Sequence, residues 1–164
     1  MPTAYVYSPF TASVSQGPGC NSNHVTCGSG TSPIDIARMG NVRLYVNYTT
    51  VKYVYVQIGS LCCNVSGASA DHKRTVRLDL YDVNYCQFGT VLYGHIKDVA
   101  VANGWVTLGA SSLLLGETVS VTHAVCYTGI HIHMQCTGGT AHPSCGANVT
   151  QGTSVIYSWN AASC

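Results

Sequence analysis

Hydrophobic and polar residues alternate with a period of two along most of the chain. Within residues 75–83, for example, Val76, Leu78 and Leu80 fall on one face and polar residues fall on the other. This alternation is typical of a β-strand with one buried face, and the abundance of Val, Tyr and Thr also favours strands. Further strands are predicted at residues 42–59 (one long strand, or two with a bend near Thr49-Thr50), 89–96, 105–109, 118–127, 130–136 and 154–159.

Little in the pattern favours helices. Only residues 110–117, "ASSLLLGE", are compatible with a short helical turn, and no segment sustains a period of 3.6 residues. The chain contains no linker and no long internal repeat. The sequence therefore predicts an all-β protein in which residues 1–164 form a single domain, built as an antiparallel β-sheet or sandwich.

The stretch "TGIHIHMQC", residues 128–136, places two histidines one residue apart among Ile and Met. Residues i and i+2 of a strand face the same side, so His131 and His133 are expected to stand side by side. Two interpretations are open at this point. The histidines form a polar patch on an exposed face, or they act together at a site.

Three further residues are candidates for chemistry. Asp35 lies in "SPIDIA", where the flanking isoleucines are expected to face the core and the carboxylate the opposite side. His24 lies in a Gly-, Asn- and Ser-rich loop, and His95 ends the strand "FGTVLYGH". Taken singly, each of them fits a solvated surface residue as well as a functional one.

Composition narrows the class of protein. Of the 164 residues 46% are hydrophobic and 8% charged, against a usual charged share of about 25%, and the net charge is +1. This balance gives no electrostatic reason to expect nucleic acid as a partner. No apolar run approaches the roughly 20 residues of a membrane span. The N-terminus lacks the pattern of a signal peptide, so export implies a leader already removed or another route.

The cysteine content indicates an oxidising, extracellular location. The chain has nine cysteines without the C-x-x-C spacing of a structural zinc site, which favours disulfides and a secreted protein. The odd number leaves one thiol unpaired within the chain, so self-association through that cysteine, or through the neutral surface, is an open expectation. The predicted pairs are Cys20–Cys27, Cys126–Cys136 and Cys145–Cys164, with the odd thiol drawn from Cys62, Cys63 and Cys86.

Three N-x-S/T triplets suit a secreted glycoprotein. They place candidate glycosylation sites at Asn47, Asn64 and Asn148. The signal is weak, because this composition gives roughly 1.8 such triplets by chance.

Taken in order, these motifs resemble those of the lysostaphin-type zinc metallopeptidases, which cut peptide cross-bridges in bacterial cell walls. "YGHI" at 93–96 and "TGIHIHM" at 128–134 match two family motifs directly, and the glycines at 104, 109 and 116 follow the intervening loop. The resemblance covers a metallopeptidase-like core at residues 13–136 and leaves a cysteine-containing C-terminal extension at 137–164. It implies a fold similar to the duplicated hybrid motif, with a groove across an antiparallel sheet.

The resemblance also implies a site. One zinc ion per chain would be held by His24, Asp35 and His133, a ligand set that leaves a fourth position open. His131 and His95 would act on the reaction, one activating water and the other stabilising the oxyanion and protonating the leaving amine.

Two functions from different classes follow from this resemblance. The first is a secreted zinc endopeptidase acting on the cross-bridges of peptidoglycan or on other Gly-rich extracellular peptides. The second is a non-catalytic extracellular binding or structural protein that retains the peptidase fold; the low charge and the odd cysteine count favour this alternative.

Overall fold

A computed structural model describes residues 2–17, 31–60, 73–119 and 130–164 of the chain. Within these ranges the elements are all β-strands, and no helix there is long and apolar enough to cross a membrane. The strands are β1 (Ala4–Tyr7), β2 (Ala12–Gln16), β3 (Thr31–Ile36), β4 (Asn41–Val46), β5 (Tyr53–Ser60), β6 (Arg74–Tyr81), β7 (Gln87–Gly94), β8 (Ile96–Lys97), β9 (Gly104–Thr107), β10 (Leu113–Thr118), β11 (Ile132–Thr137), β12 (Thr140–Ala141), β13 (Asn148–Val149) and β14 (Val155–Trp159).

The strands form two antiparallel sheets, one of which curls into a half-barrel. One sheet has six strands in the order β12-β14-β1-β4-β10-β8. The other has eight, in the order β13-β2-β3-β11-β7-β6-β5-β9. Buried side chains from both sheets make up one hydrophobic core. The predicted fold class, all-β and antiparallel with disulfide support, is confirmed.

Strand alternation builds the core as the sequence predicts. In β6 the side chains of Val76, Leu78 and Leu80 are fully buried, while the residues between them are partly exposed. The predicted long segment at 42–59 divides into β4 and β5, which join different sheets. The bend lies where Thr50 N donates to Asn47 O, within the region where the break was expected.

Residues 110–117, the stretch compatible with a helical turn, do not form one, because Leu113–Thr118 forms strand β10. This strand pairs with β4 on one side and β8 on the other, and Leu115 is fully buried. Successive leucines fit a helical turn and a buried strand equally well, so the local pattern alone could not decide. Gly116 allows the close approach to β8, since a Cβ there would overlap Lys97 O and the Ile96 side chain.

The C-terminal residues supply a strand in the interior of the six-stranded sheet. Strand β14 lies between β12 and β1, and its Tyr157 and Trp159 are buried in the core. The Trp159 indole N–H donates to Thr137 O at 2.9 Å.

One disulfide joins Cys86 to Cys164, which corrects the predicted Cys145–Cys164 pair. Gln87 and Ser163 exchange two backbone hydrogen bonds, of 3.0 and 2.8 Å, and thereby bring the chain end beside Cys86. Cys145 is disulfide-bonded as well.

Cys136 is a buried thiol, which contradicts its predicted pairing with Cys126. Its side chain follows the inward alternation of Ile132 and Met134 and joins the core. Burial raises the pKa of this thiol, with smaller opposing effects of hydrogen bonds to Gly139 and Ser32. The Cys20–Cys27 pair stays a prediction; the cysteines outside the described residues are Cys20, Cys27, Cys62, Cys63 and Cys126.

Two of the three candidate glycosylation sites lie in the described ranges, and Asn64 lies outside them. The Asn47 side chain donates to Thr3 O at 2.8 Å and accepts from Tyr5 N at 2.9 Å, so it anchors the start of β1. Asn148 is exposed in β13 and accepts from the Ser13 hydroxyl at 3.1 Å. Glycan attachment at all three stays a prediction.

We expect Gly89→Ala to lower the free energy of unfolding by about 1–3 kcal/mol, the usual cost of overpacking. A Cβ at this position would overlap Trp159 Nε1 and Thr137 O, the two atoms of the indole hydrogen bond. Chemical denaturation measures the change. Gly109→Ala is the matched control, since among the described residues no atom lies within 4 Å of the place that its Cβ would take. Equal effects of the two variants would contradict this account of the Trp159 packing.

Candidate functional site

The site begins with a cross-strand pair in the eight-stranded sheet. Strands β3 and β11 are antiparallel, and their register sets His133 directly opposite Asp35. The neighbouring positions, Ile34 opposite Met134 and Ile36 opposite Ile132, are fully buried in the core. Alternation therefore sends the imidazole and the carboxylate together to the other face of the sheet.

Irregular pairing flanks Asp35 on both sides. The β3–β11 register shifts between Met134 and Cys136, and the β2–β3 register shifts between Val14 and Gln16. Bulges of this kind occur next to active sites, where they re-aim side chains or end pairing. Here they isolate a short regular stretch of β3 around the carboxylate.

The Asp35 carboxylate contacts both histidines of the H-x-H motif, one with each oxygen. Oδ1 lies 2.9 Å from His133 Nδ1, and Oδ2 lies 3.4 Å from His131 Nε2. The two imidazoles therefore share a face, as the strand alternation predicts. Both are buried, so they do not form a polar patch on an exposed face.

His95 brings a third imidazole to the cluster from the end of β7. Its ring centre lies 5.1 Å from that of His131 and 5.9 Å from that of His133. The preceding residue, Gly94, is directly opposite His133 on β11 and has no side chain to fill the space beside it. His95 itself has a φ of 58°, the left-handed region that residues with a Cβ rarely adopt.

The cluster is shielded from water. Asp35, His95, His131 and His133 are each at most 7% exposed. A carboxylate in such a place is costly unless it is paired, and removal of a partner from a buried pair typically costs about 3–5 kcal/mol. The four side chains therefore form one electrostatic unit.

Gln135 also belongs to the site, and the sequence interpretation missed it. Its Oε1 lies 2.9 Å from His133 Nε2, and the side chain is fully buried. Its amide nitrogen has no hydrogen-bond partner within the described ranges. Its place two residues after His133, on the same strand face, was the available signal.

Proton accounting tests whether the cluster suits a cation. Both ring nitrogens of His133 face acceptor oxygens, Oδ1 of Asp35 and Oε1 of Gln135. A neutral imidazole carries one N–H, so a proton on Nε2 leaves a lone pair on Nδ1 directed at the carboxylate. With the proton on Nδ1 instead, the ring donates to Asp35 Oδ1, and the Gln135 amide turned by 180° donates to Nε2, so a neutral imidazole satisfies both contacts.

His133 and Asp35 are at hydrogen-bond distance in this structure. Two ligand atoms about 2.0–2.1 Å from a tetrahedral zinc ion would be about 3.3 Å apart, against the 2.9 Å between Nδ1 and Oδ1. The third predicted ligand, His24, lies outside the described residues. Within the described ranges, no group of three or more His, Cys, Asp or Glu side chains is arranged to hold a metal ion.

Comparison with known proteins finds no matching family model, no similar curated protein and no similar solved structure. The geometry of the cluster and the order of the sequence motifs therefore carry the functional argument.

We expect His95→Gly to be more stable than His95→Ala by about 1 kcal/mol, because both lose the imidazole but only alanine keeps a Cβ at positive φ. Parallel urea denaturation of the two variants measures the difference. If alanine proves equal to or better than glycine here, the strained backbone at residue 95 is not a feature of the folded protein in solution.

Proposed function

We propose that the chain is a zinc-dependent endopeptidase that hydrolyses Gly-rich extracellular peptides, with the cross-bridges of peptidoglycan as its substrate class. One observation carries the proposal: Asp35, His95, His131 and His133 come from distant segments and meet in one buried cluster. Their order in the chain matches the motif order of the lysostaphin-type peptidases, and the substrate class rests on that resemblance.

The proposed metal donors are His133 Nδ1, an Asp35 carboxylate oxygen and His24. Gln135 supports this role, because a hydrogen bond from His133 Nε2–H to its Oε1 would fix the tautomer whose Nδ1 lone pair is available. When bound, zinc supplies Lewis-acid polarisation of the scissile carbonyl and activation of water.

The other two histidines move protons. We assign His131 as the general base, because Asp35 Oδ2 at 3.4 Å from its Nε2 stabilises the imidazolium that forms when it takes a proton from water. His95, across the cluster from it, donates to the oxygen of the tetrahedral intermediate and then gives a proton to the departing amine. Burial strengthens each of these interactions because little water screens them.

A second function has one observation in its favour. The 2.9 Å contact of His133 with Asp35 is also an ordinary hydrogen-bond distance, so a protonated cluster can be a purely structural network. In that case the chain is a non-catalytic extracellular binding or assembly protein. The two experiments below separate the alternatives.

The first experiment measures metal content. We expect one zinc ion per chain in the purified protein, determined by inductively coupled plasma mass spectrometry, and loss of that zinc in His133→Ala. The reason is that His133 provides a donor atom at a site with few ligands.

His142→Ala is the control for this measurement. His142 lies outside the cluster and pairs with the Ser158 hydroxyl at 2.7 Å, so its loss should leave the zinc in place. Equal zinc in wild type and His133→Ala would remove residue 133 from the ligand set.

The second experiment separates chemistry from metal binding. We expect His131→Ala and His95→Ala to retain zinc but to hydrolyse glycine-bridged wall peptides about 10²–10⁴-fold more slowly, the usual effect of losing an acid–base or oxyanion group. Product formation is followed by mass spectrometry alongside the metal assay. A wild-type protein that holds zinc yet cleaves none of a broad panel of wall peptides would favour the non-catalytic alternative.

A further inference from the structure

Five aromatic side chains gather on the eight-stranded sheet, far from the histidine cluster. We refer to this group as the aromatic platform; it consists of Tyr53, Tyr55, Tyr81, Tyr85 and Trp105. The Trp105 ring contacts three of the tyrosine rings at centre distances of 4.8–5.3 Å. Although it is held on several sides, Trp105 remains 54% exposed, and Tyr85 is 55% exposed.

The backbone conformation that places Tyr85 in the platform is unfavourable. Its φ of 60° is in the left-handed region, which is unfavourable for a bulky side chain. Asp82 fixes the turn by accepting hydrogen bonds from the N–H groups of Asn84 and Cys86, at 2.8 and 2.9 Å. The Tyr85 ring thereby stacks on Tyr53 with 4.2 Å between centres and 5° between planes. A strained backbone that holds an exposed aromatic ring in place favours a functional role for that ring.

The platform and the histidine cluster share one face of the sheet. The register carries a row of directly opposed residues from Thr137 on β11 through Thr90 and Asp79 to Tyr55 and Trp105. Thr137 lies four residues beyond His133 on the same strand, so both residues face the same side.

Polar groups of balanced charge lie beside the rings. Arg77 Nε contacts Asp79 Oδ1 at 3.3 Å, and the Thr90 hydroxyl donates to the same oxygen at 2.7 Å. Nucleic acid would stack on such rings but also requires a positively charged groove, which this neutral pair does not provide. Sugar rings suit the surface better, since their C–H faces pack on aromatic rings while their hydroxyls bond to planar groups such as guanidinium and carboxylate.

We propose that the aromatic platform binds a polysaccharide strand built of pyranose units and aligns it along the sheet face that bears the histidine cluster. This inference rests on the proposed function, because a wall glycan carries the peptides that the cluster would cut. It adds to that function that the glycan strand is the part of the substrate bound away from the peptide bond that is cut.

Tryptophan fluorescence tests the proposal in the unmodified protein. The chain has two tryptophans, and Trp159 is 2% exposed, so a ligand on the platform changes the emission of Trp105. The probe is the hexamer of N-acetylglucosamine, added with EDTA present so that no zinc chemistry contributes. We expect an emission shift and protection of Trp105 from iodide quenching; absence of both at millimolar hexamer overturns the proposal.

Isothermal titration calorimetry on variants tests whether the hexamer binds at the aromatic platform. We expect Trp105→Ala and Tyr85→Ala each to weaken hexamer binding about tenfold or more, as central aromatic contacts usually do. Tyr7→Ala, which removes a half-buried ring from the outer face of the other sheet, should bind like wild type. Unchanged affinity in both platform variants, or binding of pentaglycine in place of the hexamer, overturns the glycan assignment.

Glycan binding by the platform and peptide hydrolysis by the histidine cluster can be tested independently. His131→Ala should bind the hexamer as wild type does while losing hydrolysis. A wild-type protein that binds the hexamer but cleaves no wall peptide keeps the platform and discards the peptidase.

Discussion

The antiparallel register of β3 against β11 is the constraint on which the site depends. It places Asp35 opposite His133, and the same register buries Ile34, Ile36, Ile132 and Met134 on the reverse face. A slip of β3 by one residue would turn Ile34 and Ile36 out of the core and Asp35 into it. The apolar contacts of the core therefore hold the register, and the polar cluster is positioned by hydrophobic packing that it does not itself supply.

Features set by residues close together in the chain could be predicted from the sequence, and features set by distant contacts could not. Alternation is local, so the strands and the shared face of His131 and His133 could be inferred from neighbouring residues alone. The pairing of Cys86 with Cys164 could not, because it depends on a contact between residues 78 apart in the chain. Strand β10 was missed because its leucines fit two periods. The position of Gln135 beside His133 could have been inferred from the same strand alternation that set His131 beside His133.

Two strained residues present aromatic rings to ring clusters. Within the described ranges four non-glycine residues have left-handed φ values, Ser32, Tyr85, His95 and Asp98, and of these His95 and Tyr85 contact other rings. Such conformations cost about 1–3 kcal/mol and persist only when the surroundings impose them. At His95 the end of β7 imposes it, and at Tyr85 the Asp82 turn does. Neither could be inferred from a strand pattern, since both residues lie just beyond strands.

The buried cluster shows how a chain with few charges accommodates a carboxylate away from water. A structural polar network contributes stability only when its members are satisfied, and an incomplete one is worse than an apolar core. Here the two unsatisfied groups resolve each other: with the Gln135 amide turned by 180°, its Nε2, which has no partner among the residues described, donates to His133 Nε2, and His133 Nδ1–H donates to Asp35. A chain with only 13 Asp, Glu, Lys and Arg residues nevertheless buries Asp35, and the contacts of its two oxygens with His133 and His131 offset the cost of removing the carboxylate from water.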